Sequence, residues 1–256
     1  MKHIQKLVSL TFFLCLTISL TSQTKISAET ILEAIKNGKS IHYKEAIITG
    51  VLDFTFMDEQ LRNMPKKRKR WWNTDNNNTI KKQINSKISF ENCTFENAVF
   101  AYIHEEETQR TFIANFEEDV IFKNCIFNEM ALFKYSNFAK SAIFSNSHFK
   151  DSSTFKYAKF QHTVSFFNTV FKASSSFKYT TFSNHVSFAK STFDESATFK
   201  YAKFNKGVSF NNTQFREDLT IKYTKVTGDF DITGMYVAYE IDSKYTKING
   251  RAFQFN

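Results

Sequence analysis

The chain has 256 residues, with 31 Phe and 10 Tyr but only 6 Gly and 1 Pro, and a formal net charge of +9. Its 3 Cys are too few for a disulfide scaffold. Only one long apolar run is present, at the N-terminus, which excludes a protein with several transmembrane helices. The basic balance favours acidic partners such as anionic glycans, lipid headgroups or nucleic acid.

The N-terminal segment 1–28 has the pattern of a secretory signal peptide. Two lysines precede a 14-residue, predominantly apolar stretch, Leu7–Leu20, and small or polar residues follow it. The alternative is a membrane anchor, but a spanning helix needs about 20 apolar residues. Cleavage after Ser22 or after Ala28 would each leave a small residue at the cut. We expect a periplasmic or secreted protein with no transmembrane segment once the signal is removed, and with its net charge lowered from +9 to about +7.

A short amphipathic helix is predicted over 29–40, because apolar residues at i, i+1 and i+4 share one of its sides. Thr30 can cap its start and Gly38 can end it. Such a helix would cover the open end of a stacked-repeat fold, which otherwise exposes apolar core and unpaired strand edges.

Two insertions are predicted in the early part of the chain, near 57–87 and 103–113. The first lacks any period, so we interpret it as a protruding loop. The second contains three consecutive glutamates and favours an acidic hairpin. The first insertion carries a candidate interaction loop that could contact a membrane surface or nucleic acid, although a nucleic-acid role does not suit an exported protein. The alternative is a solvated loop with its tryptophans folded back on the coil. The residues of this candidate loop are Lys67, Arg68, Arg70, Trp71 and Trp72.

A 22-residue period organises the remainder of the chain. The pair Lys-Tyr recurs six times at that spacing, from Lys134-Tyr135 to Lys244-Tyr245, and Phe recurs between 133 and 215 at gaps that alternate between five and six residues. Four such gaps make one period, which indicates a coil with four apolar sides. Small residues such as Ala158 and Thr169 lie two positions before a Phe and are expected to point inward beside it. Strands of successive coils would then pair in parallel at about 4.8 Å.

The segment from Phe155 to Phe166, Phe-Lys-Tyr-Ala-Lys-Phe-Gln-His-Thr-Val-Ser-Phe, resembles the Phe-rich pentapeptide repeat, Phe-x-x-Ala-x-Phe-x-x-x-Val-x-Phe. The resemblance extends over 41–248 with the two insertions. It implies an all-β fold, a right-handed four-sided parallel β-helix (solenoid), here of about eight coils. The coil has 22 residues where the family pattern has 20. The tail 249–256 leaves the register but keeps two Phe at strand spacing, which predicts a C-terminal cap.

The Lys-Tyr pairs are the first candidate site, because both residues follow an inward Phe and should face outward. A row of ammonium groups between tyrosine rings could hold an anionic polymer by charge and stacking. Alternatively, the tyrosines stack for stability and the lysines keep a flat surface soluble. We call this candidate the Lys-Tyr stripe, and its residues are Lys134, Tyr135, Lys156, Tyr157, Lys178, Tyr179, Lys200, Tyr201, Lys222 and Tyr223.

Support for catalysis is weak. The histidines are scattered, so we expect no metal or other cofactor, and Cys93 and Cys125 align in one inward column as packed thiols. Carboxylates do cluster at one predicted corner, namely Asp194, Glu195, Glu217 and Asp218. The sequence therefore favours a non-enzymatic envelope scaffold or binding module, whose partner would be an anionic glycan, a lipid headgroup or an envelope protein rather than nucleic acid. The alternative is a glycan-active β-helix enzyme with its site beside an insertion.

Overall fold

The computed structural model describes residues 23–63, 78–253 and 255. Within them the chain winds through eight coils into a right-handed, four-sided parallel β-helix, which confirms the expected fold class. Most strands have two residues, one buried and one facing out, because apolar and polar residues alternate and a turn follows at each corner. We number the four sides as faces 1 to 4 in chain order.

Faces 1 and 2 carry the first two strands of every coil. The strands of face 1 are Ile41–Lys44, Ile88–Glu91, Val120–Lys123, Ala142–Ile143, Val164–Ser165, Val186–Ser187, Val208–Ser209 and Phe230–Asp231. The strands of face 2 are Thr24–Ser27, Ala46–Thr49, Thr94–Phe95, Ile126–Phe127, His148–Phe149, Val170–Phe171, Thr192–Phe193, Gln214–Phe215 and Tyr236–Val237. All of these strands pair in parallel with their neighbours on the same face.

Faces 3 and 4 complete each coil. The strands of face 3 are Leu52–Asp53, Val99–Phe100, Ala131–Leu132, Ser153–Thr154, Ser175–Ser176, Ala197–Thr198, Leu219–Thr220 and Ile241–Asp242. The strands of face 4 are Thr79–Ile84, Arg110–Phe116, Asn137–Phe138, Lys159–Phe160, Thr181–Phe182, Lys203–Phe204, Lys225–Val226, Lys247–Ile248 and Arg251–Ala252. A further strand, Tyr102–Glu105, pairs with Arg110–Phe116.

Columns of phenylalanine fill the interior. Phe166 is fully buried, and its ring stacks on Phe144 at 5.0 Å and on Phe188 at 4.9 Å, its counterparts one coil away on either side. Rings of neighbouring columns meet edge to face, as Phe166 and Phe177 do at 5.3 Å. Each buried Phe contributes about 1.5–3 kcal/mol of transfer free energy. The Phe columns therefore supply the stability that small proteins often obtain from disulfides.

In each of the six regular coils from 120 to 248, two opposite corners turn through a left-handed residue. Tyrosine occupies this position between faces 3 and 4, with φ of 59–63° in the six Lys-Tyr pairs. Asparagine occupies it between faces 1 and 2 in four of the six coils from 120 to 248, for example Asn146 and Asn168, whereas Lys190 and Gly234 occupy it in the other two. Asn commonly adopts this conformation, whereas a bulky residue such as Tyr rarely does. The tyrosine corners are therefore the unusual ones.

Small hydroxyl residues close both of these corners from inside. Thr180 Oγ1 donates to the Phe155 carbonyl at 2.8 Å, and Thr169 Oγ1 donates to the Phe144 carbonyl at 2.9 Å, in each case across to the preceding coil. Both hydroxyls are fully buried. A buried carbonyl that loses such a donor costs about 1–3 kcal/mol. Where the small inward residue is Ser or Thr, it thus ties successive coils together as well as filling space.

A helix and a strand cover the N-terminal end. The helix, α1, spans Ala28–Lys36 and buries Ile31 and Ile35 on the first coil. Ser27, rather than the expected Thr30, caps it by accepting a hydrogen bond from the Thr30 amide at 3.2 Å. The preceding strand Thr24–Ser27 pairs in parallel with Ala46–Thr49. Neither helix among the described residues is long and apolar enough to cross a membrane.

Both insertions leave the coil at the corner between faces 3 and 4. The first begins with a second helix, α2, Met57–Arg62. Its end differs from the expectation, because Thr79–Ile84 is not loop but a face-4 strand paired with residues 111–116. That strand contains no Phe, so the Phe spacing did not predict it. The second insertion is the predicted hairpin, formed by the antiparallel strands Tyr102–Glu105 and Arg110–Phe116.

The C-terminal end is covered less completely. Arg251–Ala252 folds back antiparallel onto Lys247–Ile248, and the Phe253 ring meets Phe230 edge to face at 5.3 Å. On faces 1 to 3 the last coil has no strand beyond it among the described residues. Its inward side chains, such as Phe230, are only partly buried, whereas those of the middle coils are almost entirely so.

Candidate functional site

The Lys-Tyr stripe forms one continuous ridge at the corner between faces 3 and 4. From Tyr135 to Tyr245 consecutive rings lie parallel, with centroids 4.6–4.8 Å apart and interplanar angles of 3–19°. Tyr102 begins the column, tilted by 45° at 5.9 Å from Tyr135. The left-handed turn at every tyrosine directs all six rings outward in the same way. The predicted outward orientation of the stripe is confirmed.

The stacking leaves the ring planes covered by one another. A ligand therefore cannot stack on the tyrosine planes within the ladder, which corrects the sequence-based expectation; only ring edges and phenolic oxygens are open to it. Partial loss of hydration along the ladder raises the pKa of Tyr179, so its phenol stays protonated at neutral pH. What the ladder offers is a row of phenolic hydroxyl groups at the inter-strand spacing.

The lysines of the stripe lie along the same ridge. Lys244 continues the row one coil beyond the stripe. Five of these six ammonium groups lie 5.1–5.9 Å from the centroid of the tyrosine that follows them, in Lys134, Lys156, Lys200, Lys222 and Lys244. This range permits cation–π attraction. Within the described part of the chain, Lys222 is the one member of the row with an ion pair, to Asp242 at 3.5 Å. The row therefore carries positive charge that nearby carboxylates do not neutralise.

Face 4 adds a second set of lysines beside the ladder. Lys159, Lys203, Lys225 and Lys247 occupy equivalent outward positions and are exposed. Near the N-terminal end, the tyrosine ladder and the long strands of face 4 enclose a groove of about 510 Å³. The groove is lined by Thr79, Lys81, Thr111, Ile113, Tyr135, Tyr157, Lys159 and Tyr179. Hydroxyl groups and two ammonium groups thus converge on one depression.

The family relationship follows from the same repeat. A family model described as Pentapeptide repeats (9 copies) matches residues 114–159 and 155–202. The chain is a pentapeptide-repeat protein. No curated protein and no solved structure matches it. The coils on either side of the matched residues continue the same four faces, so the pentapeptide-repeat fold extends from the first coil to the eighth.

The candidate interaction loop of this pentapeptide-repeat protein, Lys67, Arg68, Arg70, Trp71 and Trp72, lies outside the described residues. The described chain stops at Asn63, just after α2, and resumes at Asn78, just before the strand Thr79–Ile84. A role for this loop therefore stays a prediction.

The carboxylates considered for catalysis take part in contacts between coils. Asp194 accepts from Lys172 at 2.6 Å and from Arg216 at 3.0 Å, and so links three coils. Glu195 accepts from the Ser174 hydroxyl at 2.8 Å. Asp218 accepts from the Glu240 amide at 3.0 Å. Among the described residues, no group of three or more His, Cys, Asp or Glu side chains is placed to hold a metal ion.

The two cysteines point inward and are unbonded to each other, as predicted. Cys125 Sγ donates to the Phe90 carbonyl at 3.4 Å, the contact that the Ser147 hydroxyl makes with Phe122 one coil later at 2.8 Å. Burial raises the pKa of both Cys93 and Cys125. Because the thiolate is the reactive form, neither is suited to nucleophilic or redox chemistry.

Sequence reasoning missed the groove residues Thr79, Lys81, Thr111 and Ile113. They belong to the parts of two strands that extend beyond the regular coil, and no Phe marks their register. A signal was present in the strand-forming residues Thr111, Phe112 and Ile113, but the partner strand Thr79–Ile84 contains no aromatic residue.

Proposed function

We propose that this pentapeptide-repeat protein is an exported, non-enzymatic binding module of the cell envelope, which holds an anionic polymer along the Lys-Tyr stripe. One observation carries the proposal: six ammonium groups stand in a single row along the tyrosine ladder, and Lys222 alone among them is ion-paired within the described residues. Pentapeptide-repeat proteins are in general non-enzymatic scaffolds, which agrees with a binding role.

The physical case rests on repulsion between like charges. Neighbouring ammonium groups on adjacent coils repel each other by about 1 kcal/mol per pair in water before screening. A flexible polyanion would relieve this repulsion at every coil, because its charges could follow the ridge. The phenolic hydroxyls of the ladder and the face-4 lysines would supply hydrogen bonds and further charge on one side of the bound chain.

We expect that changing Lys156, Lys178 and Lys200 together to Gln weakens binding of heparin, a sulfated glycan, by at least roughly tenfold. Wild-type affinity should also fall steeply as salt rises, since binding releases counterions. All three side chains are only partly buried, so the melting temperature should change little. Titration calorimetry at several salt concentrations measures both effects.

A second triple variant, Lys123→Gln, Lys150→Gln and Lys206→Gln, is the matched control. It removes the same charge from three exposed lysines on other corners of the coil. If both triple variants weakened heparin binding equally, the loss would be explained by net charge alone and the proposal would be wrong. A wild-type affinity that does not change with salt concentration would show that the lysines of the stripe do not drive binding. Parallel titrations with phosphatidylglycerol vesicles distinguish a lipid headgroup from a glycan as the source of the anions.

The proposed export leads to a separate prediction about the N-terminus of the mature protein. The strand Thr24–Ser27 is paired along its length, and Ala28 is only 3% exposed. Cleavage after Ala28 would remove that strand, whereas cleavage after Ser22 leaves the fold whole. We therefore expect the secreted protein to begin at Gln23, as intact mass and N-terminal sequencing would show. Recovery of an uncleaved chain from the cytoplasm would contradict export.

A further inference from the structure

A second cavity lies at the N-terminal end of face 3, between that face and the helices α1 and α2. Its volume is about 790 Å³, within the usual range of small-molecule sites. Helix α2 has no fully buried residue and forms one wall of the cavity. The ion pair Lys36–Glu59, at 2.8 Å, joins the two helices. The apolar lining residues are Leu32, Val51, Phe56, Met57, Phe100 and Ile103.

The polar lining of this cavity is acidic, although the protein as a whole is basic. The carboxylates are Glu29, Glu33, Asp53, Asp58 and Glu59, against two cations, Lys36 and Arg62. Glu29, Glu33 and Asp58 are exposed and have no ion pair among the described residues. Local potential follows these nearby groups more than the distant net charge, because salt screens charges beyond about 8–10 Å.

The other two carboxylates already have partners. Asp53 accepts hydrogen bonds from the Thr55 amide at 2.8 Å, from the Thr55 hydroxyl at 2.6 Å and from the Met57 amide at 3.0 Å. It therefore fixes the chain that enters α2. Its burial raises its pKa, and these hydrogen bonds oppose that rise. The Lys36 ammonium lowers the pKa of Glu59 and holds it ionised. Asp53 and Glu59 shape the cavity, and Glu29, Glu33 and Asp58 remain to meet a ligand.

We propose that this cavity binds an organic cation with an apolar body, of the size of a small drug molecule. The apolar lining residues would cover the body of the ligand, and the three free carboxylates would face its positive charge. Charge complementarity selects this class: an anion would meet an acidic rim, and a neutral molecule would leave three carboxylates without a counter-charge. The site lies at the N-terminal end of face 3 and is independent of polyanion binding on the stripe.

The test uses tetraphenylphosphonium, a lipophilic cation, and tetraphenylborate, an anion of similar size and shape. Titration calorimetry of the purified protein should show saturable binding of the cation. The triple variant Glu29→Gln, Glu33→Gln, Asp58→Asn should weaken this binding by at least about tenfold through loss of charge attraction. Val51→Trp should also weaken it by filling the cavity; Val51 is 46% exposed, so its replacement leaves the core intact.

The matched control is Glu106→Gln, Glu107→Gln, Glu117→Gln, which removes three carboxylates elsewhere and should leave cation binding unchanged. Circular dichroism and thermal melts establish that every variant is folded. The proposal is overturned if tetraphenylphosphonium does not bind, or if its affinity survives both the triple change and Val51→Trp. It is also overturned if tetraphenylborate binds as tightly as the cation and Val51→Trp removes both.

Discussion

Replacing Phe166 with Ala should lower the free energy of unfolding by about 3–5 kcal/mol. The ring is fully buried and stacks on Phe144 and Phe188 in the adjacent coils. Both partners are themselves held in stacks, so they cannot move to refill the space without breaking other contacts. The same reasoning gives Phe188→Ala a loss of similar size, and urea melts would measure both.

The comparison at the open end decides whether the core is columnar. Phe253 is only half-buried and meets Phe230 and Phe255, at 5.3 Å and 6.4 Å, with no continuing stack. Phe253→Ala should therefore cost clearly less than either middle-coil change. Equal losses at all three positions would refute a core built from continuous Phe columns.

Replacing Tyr179 with Val should be the most damaging change on the outer surface. Tyr179 has φ of 59°, and a β-branched side chain in this left-handed region is a severe misfit. The change also removes ring contacts with Tyr157 and Tyr201, each worth about 0.5–1.5 kcal/mol. We expect a total loss of about 2–5 kcal/mol in thermal or denaturant melts.

Tyr179→Asn separates the two contributions. Asn tolerates the left-handed conformation and occupies it naturally at the opposite corner, in Asn146 and Asn168. This variant should lose the ring contacts alone and remain about 1–2 kcal/mol more stable than Tyr179→Val. If both variants melted together, backbone conformation would not be what constrains these corners.

Much of the fold could be predicted because one side-chain type marks it. Phe at gaps of five and six residues marks one inward position on every side of the coil from 133 to 215, and the Lys-Tyr pairs fix the coil length. The strand Thr79–Ile84 was missed because it has no Phe and follows a long insertion. Its position is set by pairing with residues 111–116, a long-range contact that local pattern does not reveal.

The candidate site was predictable in position but not in geometry. Outward Lys-Tyr pairs follow from the inward Phe before them, whereas the left-handed tyrosines do not, because local propensity assigns that conformation to Gly or Asn. The ring stacking that covers the tyrosine planes depends on this backbone conformation. The cavity between α1 and α2 depends on how an insertion packs against a capping helix, and neither element carries a period.

Because the two ends of the solenoid are covered unequally, we expect unfolding to begin at one particular end. Each coil is bonded only to its neighbours, so strands can separate one coil at a time from an end. The helix α1 and the strand Thr24–Ser27 protect one end, while three faces of the last coil have an unpaired edge among the described residues. Amide exchange should therefore be fastest near Phe230 to Ile248 and slow progressively toward the middle coils, so that opening proceeds from the C-terminal side.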